Sequence, residues 1–178
     1  MIQYCTKCML PDTKPNLHFE DGICNACINY ENRKNINWKE RKKELVSILK
    51  YYKDKAQNKW DCIVPVSGGK DSTYQVVTAI KLGMNPLCVA SRTCDFSNIG
   101  RKNLDNIREL GVDLIEVGPD AKTRQKLNKI GLLELGDISW PEHVSIFTAP
   151  VKFALAYDIP LILWGENPQL EYLSLIHI

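Results

Sequence analysis

The chain has 178 residues, 44% of them hydrophobic and 25% charged, the balance of an ordinary globular domain with a small appendage. A formal net charge of +2 gives no electrostatic pull toward nucleic acid or a lipid surface. No apolar run reaches transmembrane length, and cysteines and polar residues occupy the place of a signal peptide, so no membrane association and a cytoplasmic location are expected.

Residues 1–30 are too few to build an apolar core. Cys5 and Cys8 form one C-x-x-C pair and Cys24 and Cys27 a second, at the separation of four-cysteine zinc sites. Four thiolates suit tetrahedral Zn²⁺, and with every position filled the site reads as structural. A reduced, metal-free cluster or a redox pair is the alternative. Pro11, Pro15 and Gly22 fit a loop-rich zinc ribbon with two knuckles. Metal binding would supply the folding free energy that a core cannot.

Residues 31–60 read as a connecting basic, amphipathic segment, with a helix over 37–58. Asn37 is placed to cap it, with Glu40 three residues on. Leu45, Ile48, Leu49 and Tyr52 recur at helical spacing. Lys39, Arg41, Lys42, Lys43, Lys50, Lys53 and Lys55 make the other face basic, which suits plain solvation or an anionic partner.

From Asp61 to residue 172 strands and helices alternate. Strands are predicted at 61–66, 87–92, 113–117 and 161–164, and helices at 71–82, 98–110, 121–130 and 142–157. Gly83 and Gly111 end helices and Asp120 caps one. Short strands apolar on both sides imply a parallel sheet with helices on both faces, an α/β fold. Cys62 and Cys88 fall in apolar runs and are expected in its core. Ligands of such sheets bind beyond the carboxyl ends of the strands.

The first such end carries Ser67-Gly68-Gly69-Lys70-Asp71-Ser72 between a strand and a helix. Glycines let the chain turn sharply and approach an anion, and the helix start adds free N–H groups and a positive dipole end. Ser67 and Ser72 can donate hydroxyl hydrogen bonds, and Lys70 is a point charge for a phosphate. An acid in such company, Asp71, makes sense on Mg²⁺ or its water. The glycine spacing is neither that of a Walker A loop nor G-x-G-x-x-G. Arg92, Thr93, Cys94 and Asp95 follow the second strand. Gly165, Glu166 and Asn167 follow the fourth, as ligands for Mg²⁺, ribose or phosphate, or as a polar turn before Pro168. Gly136-Asp137-Ile138-Ser139-Trp140-Pro141-Glu142-His143 gathers acids, an aromatic and an imidazole at a helix start. His143 there could act in acid–base chemistry or substrate binding, and Ser139 or Asp137 could simply cap the helix.

The Ser-Gly-Gly-x-Asp-Ser stretch resembles the PP-loop of ATP pyrophosphatases, which cleave ATP to AMP and pyrophosphate. Further motifs narrow the resemblance: Cys-Thr-Lys-Cys-Met-Leu-Pro-Asp-Thr at 5–13, Gly-Ile-Cys-Asn-Ala-Cys at 22–27 and Val-Ser-Gly-Gly-Lys-Asp-Ser at 66–72. Cys-Asp-Phe at 94–96, Gly-Asp-Ile-Ser-Trp-Pro-Glu-His at 136–143 and Trp-Gly-Glu-Asn-Pro-Gln at 164–169 extend it over residues 1–172. In these the chain is similar to the N-acetyl sugar amidotransferases of bacterial surface-glycan and flagellin-glycan synthesis.

The resemblance implies a Rossmann-like PP-loop domain over 61–172 behind the zinc ribbon, with ATP, Mg²⁺ and Zn²⁺ as cofactors. It implies adenylation of the amide oxygen of an N-acetyl sugar or nucleotide sugar, then attack by ammonia from a glutaminase partner, giving an acetamidino sugar. Ser67, Gly68, Gly69, Lys70, Asp71, Ser72, Cys94, Asp95, Gly165 and Asn167 would bind ATP. Asp71, Lys70, His143 and Glu166 would serve the chemistry, and Cys5, Cys8, Cys24 and Cys27 the metal. Family members are longer, so the C-terminal part of the substrate site is expected to be truncated here. Residues 173–178 read as a non-native tail resembling a translated sequencing adapter. Two rival readings are a tRNA-thiolating PP-loop enzyme, against which stands the lack of cysteine in 95–172, and a non-catalytic ATP- or partner-binding fragment.

Overall fold

The computed structural model describes residues 2–14, 16–92 and 96–165. The chain divides into two compact units, the first ending at Leu45 and the second beginning at Val46.

In the first unit a two-residue hairpin, β1 (Phe19–Glu20) and β2 (Ile23–Cys24), pairs antiparallel. Asp21 and Gly22 both have positive φ (50° and 78°), the combination a tight hairpin turn requires. Cys24 leads directly into α1 (Asn25–Asn32), followed by a 3₁₀ turn, Arg33–Asn35. Among the described residues of this unit only Cys5 and Cys24 are fully buried, so it has no apolar core, as its length predicts.

The helix α2 (Trp38–Lys55) runs across the boundary between the units. Asn37 caps it as expected, its Oδ1 accepting the Glu40 N–H at 3.1 Å. The apolar face is used more sparingly than its periodicity predicts. Leu49 is buried and Tyr52 half-buried, while Leu45 and Ile48 remain exposed. Leu49 alone of the four joins the core of the second unit.

The second unit is built on a parallel sheet in the order β3 (Cys62–Pro65), β4 (Pro86–Ser91), β5 (Asp113–Val117). In its register Ile63 faces Leu87, and Leu87 faces Asp113. The connecting helices are α3 (Lys70–Lys81), α4 (Asn98–Glu109), α5 (Ala121–Ile130) with a π-helical extension Gly131–Leu135, and α6 (Trp140–Ala156). Asp120 caps α5 as predicted, accepting from the N–H groups of Lys122 and Thr123.

Strand side chains alternate in direction, and that alternation sorts them into two cores. Cys62, Val64, Val66, Cys88 and Ala90 pack with Leu49 of α2, Val76 and Ala79 of α3, and Leu104 and Ile107 of α4. Ile63, Leu87 and Val89 pack on the opposite face with Ala149 and Ala154 of α6 and with Ile159. Helices therefore cover both faces, which is why β3 and β4 are almost wholly apolar. Burial pushes the Cys88 thiol up to about 12 and the Cys62 thiol further, as befits inert core cysteines.

The predicted strand at 161–164 is reduced to one parallel bridge, Ile162 to Ile63. Ile63 N–H donates to Leu161 O and Leu163 N–H to Ile63 O, each at 2.8 Å. The next donor along this side of β3 would be residue 65, a proline without an N–H, and pairing stops there. Among the described residues no helix is long and apolar enough to cross a membrane.

Candidate metal centre and glycine-turn site

The thiol cluster is assembled by two turns. In the first, Cys5 N–H donates to Leu10 O and Met9 N–H to Cys5 O, both at 2.9 Å, with Met9 at a φ of 62°. In the second, Cys24 ends β2 and Cys27 lies in the first turn of α1. Thr6 joins them, its N–H donating to Gly22 O at 2.9 Å and its hydroxyl donating to the same oxygen at 3.1 Å. All four sulfurs come within 4.8 Å of one another. Cys8 Sγ and Cys24 Sγ lie 3.5 Å apart, and Cys5 Sγ and Cys27 Sγ 4.0 Å. A tetrahedral zinc–thiolate centre has sulfur–sulfur edges of about 3.8 Å, from Zn–S bonds of about 2.3 Å. The four cysteines thus form a cluster that could hold a metal ion such as zinc.

Electrostatics point the same way. Burial opposes ionisation of Cys5, but the N–H groups of Cys24 (3.3 Å) and Lys7 (3.4 Å) aim at its sulfur and bring its pKa down to about 6. Hydrogen bonding with Cys8, together with burial, pushes Cys27 up to about 12. The hydrogen bonds thus favour the thiolate at Cys5 and the thiol at Cys27. A bound dication would ionise Cys27 as well, since coordination deprotonates thiols outright.

The second candidate lies at the carboxyl end of β3. Gly68 is buried with a φ of +81°, and a Cβ there would meet Asn103 Cβ and Leu104 N at 3.3 Å, so the turn is packed against α4 and favours glycine. Gly69 caps α3 with extended backbone. The Ser72 and Thr73 hydroxyls both donate to Gly69 O, at 3.1 and 2.9 Å, and Ser72 Oγ accepts the Ser67 N–H at 3.4 Å. Helix geometry leaves the N–H groups of Lys70, Asp71 and Ser72 without intrahelical acceptors. Lys70 Nζ sits on the Asp71 carboxylate at 2.7 Å, and both side chains are more than four-fifths exposed. The turn offers a ring of donors, a cation and a carboxylate to solvent at one point.

Other predicted site residues distribute as follows. Gly165 stands beyond the Ile162 bridge, next to Gln75 of α3, whose Nε2 donates to Leu163 O at 2.9 Å. His143 is in the first turn of α6, its Nδ1 4.0 Å from Asp137 Oδ2. Asp137 Oδ1 also accepts the Ser139 N–H at 2.8 Å, and Ser139 occupies the cap position of α6 ahead of Pro141. Ser139 makes no side-chain cap hydrogen bond, and Asp137 turns the chain into the helix without capping its first turn. Thr93, Cys94, Asp95, Glu166 and Asn167 lie outside the described residues, as do Pro15 and residues 173–178.

Sequence reasoning missed Ser145 and Gln75, and the tie that Glu142 makes. Ser145 of α6 hydrogen-bonds Ser91 at the end of β4, oxygen to oxygen at 2.7 Å, tying the α6 start to the carboxyl end of the sheet. Glu142 Oε1 accepts from Asn128 Nδ2 at 2.8 Å, which links α5 to α6. Gln75 looks like any helix-surface residue in the sequence. A proline inside the strand run just before the glycine turn was the available signal that one edge of β3 must find a donor elsewhere. No family model matches the chain, and no curated protein matches its sequence.

Proposed function

We propose that this chain is a PP-loop ATP pyrophosphatase of the N-acetyl sugar amidotransferase type. The observation that carries the reading is the Ser67–Ser72 turn, with Gly68 pinned at positive φ, at the carboxyl end of a parallel strand and the start of a helix. The four-thiol cluster supports it, because the resemblance joins such a turn to two cysteine knuckles.

In this reading the exposed N–H groups at the start of α3, with the Ser67 and Ser72 hydroxyls, hold the ATP phosphates, and Lys70 swings from Asp71 onto them. Mg²⁺ would supply charge neutralisation for the departing pyrophosphate, with Asp71 as its protein ligand and Glu166 as a second. The acetamide oxygen attacks the α-phosphorus, the bond to the bridging oxygen breaks, pyrophosphate leaves, and the amide N–H proton is released. The resulting O-adenylyl imidate has a leaving group where the amide had none. Ammonia adds to the imidate carbon, AMP departs with the former amide oxygen, and a proton is lost to give the acetamidine. The residues contribute positioning and charge stabilisation. Zn²⁺ on Cys5, Cys8, Cys24 and Cys27 would be structural, and a glutaminase partner would supply the ammonia.

The test incubates the purified protein with ATP and Mg²⁺, in one arm with ammonium and a panel of nucleotide-linked N-acetyl sugars and in the other with tRNA and a sulfide donor. The expected outcome is AMP and pyrophosphate formed in step with a product lighter by the difference between O and NH. Thiolated tRNA with no sugar turnover would establish the rival chemistry instead.

A further inference from the structure

Pairing between β3 and residues 161–163 uses the odd positions of β3. Ile63 both donates and accepts, and the rung after it calls for a residue 65 N–H on Leu163 O. Pro65 cannot supply it. The Leu163 carbonyl is met instead by Gln75 Nε2 at 2.9 Å, from the second turn of α3. A side chain of the glycine-turn helix has taken the place of a main-chain donor.

The consequences are geometric. A ladder holds neighbouring strands about 4.8 Å apart for as long as it continues. Here it ends at Pro65, and the two chains are released to part. One runs into the Ser67–Ser72 turn, and the other into Trp164 and Gly165, with the Trp164 ring held by Phe147 of α6 at 5.6 Å. A Cβ on Gly165 would lie 3.0 Å from Gln75 Oε1, so a side chain there would displace the amide from the fork. Gln75 Oε1 itself is buried without a hydrogen-bond partner. An unpaired buried acceptor lowers stability, so the amide is retained for its donor end. The fork also lies where the chain order of the sheet reverses. Residues 161–163 and β4 flank β3, reached through α6 on one face and α3 on the other. Crevices at such points are where α/β sheets take ligands.

We infer that Pro65 and Gln75 together form a wedge that holds the edge of β3 open beside the glycine turn, with Gln75 as a positioning residue for the ligand bound there. The wedge itself stands on the hydrogen bonds above. Its link to nucleotide rests on the function proposed in the preceding subsection.

The deciding variant is Pro65→Val combined with Gln75→Met, which restores the missing donor and removes its competitor at equal side-chain length. Expected is a new amide at position 65 that is protected from hydrogen exchange, a melting temperature above that of Gln75→Met alone, and at least a tenfold loss of affinity for ATP with Mg²⁺. Opposite movement of stability and affinity is what a merely structural role would not produce. A position-65 amide that exchanges as freely as a solvent-exposed one overturns the inference, and so does a protected amide there with ATP affinity unchanged. If the unmodified protein binds no ATP, the functional reading fails while exchange and melting still decide the wedge. Should the double variant not fold, Gln75→Met alone must accelerate exchange of the Leu163 amide, and unchanged protection there overturns the inference.

Discussion

Asp71 and Lys70 face each other on the solvent side of the α3 start, and their exposure settles what they are not. An ion pair with both partners more than four-fifths exposed contributes little to stability. Neither side chain packs against the core, so neither is there for the fold. Gly68, two residues before Lys70, is the opposite case: its φ of +81° strains any other residue, and a Cβ there would crowd the Leu104 N at 3.3 Å. In the proposed function this fixed turn, with its exposed Lys70–Asp71 pair, is the polyphosphate site. Replacing Asp71 with Ala is therefore expected to abolish pyrophosphate release while the melting temperature stays unchanged. Retained pyrophosphate release in that variant would remove Asp71 from the chemistry, and a large drop in melting temperature would return it to a structural role.

Element by element, the legible features were those carried by local pattern. The strand at 113–117 and the helix at 121–130 fall where apolar runs and the Asp120 cap put them. The cysteine cluster was legible because spacing alone brings each pair to a turn. The edge at 161–164 was not, since Leu161-Ile162-Leu163-Trp164 is strand-like in itself and its pairing depends on Pro65, nearly a hundred residues away. The exposed Leu45 and Ile48 were not legible for a related reason: periodicity gives a helix face and does not say how much of it is covered. Side-chain ties between elements were equally invisible. In one of them Glu116 of β5 takes Arg101 NH1 at 2.7 Å and Arg108 NH2 at 2.5 Å, both from α4, while Arg108 also reaches Asp105. The Arg101 hydrogen bond, reinforced by Arg108 and opposed by burial, holds the Glu116 carboxyl below its ordinary 4.5. A lowered carboxyl stabilises the fold fully above 4.5 and loses that contribution as pH falls through its lowered value. The arginines are partly exposed, so screening limits the effect to about 1 kcal/mol. Glu116→Gln is expected to be less stable than the parent at pH 7 and to converge with it in acid. Parallel denaturation curves across that range measure the difference, and a constant gap down to the acid limit would dissociate Glu116 from the acid sensitivity.

At the scale of the whole molecule, two units are stabilised by different physics. From Val46 on, two apolar clusters sandwich a parallel sheet, with Ile63, Val64, Val76, Leu87, Leu104 and Ile107 essentially inaccessible. Up to Leu45, among the described residues, only two cysteines are buried, and the backbone hydrogen bonds of Thr6, Met9 and Cys24 all converge on the thiol cluster or its turns. A segment of this size cannot offset its conformational entropy by burying two thiols. A metal on four thiolates can, and its binding free energy then becomes the folding free energy of the segment. Elemental analysis should accordingly find one zinc ion per chain. Chelation, or Cys24→Ser, should release the Thr6, Met9 and Cys24 amides to fast hydrogen exchange while the Val64 and Val89 amides stay protected. Stability of the second unit gains nothing from the metal in this account, so its melting transition should not move. A metal content near zero with the Thr6 and Cys24 amides still protected would show that the cysteines hold this segment together as thiols. Loss of protection in both units on chelation would show instead that the fold is one cooperative body in which the metal stabilises the sheet as well.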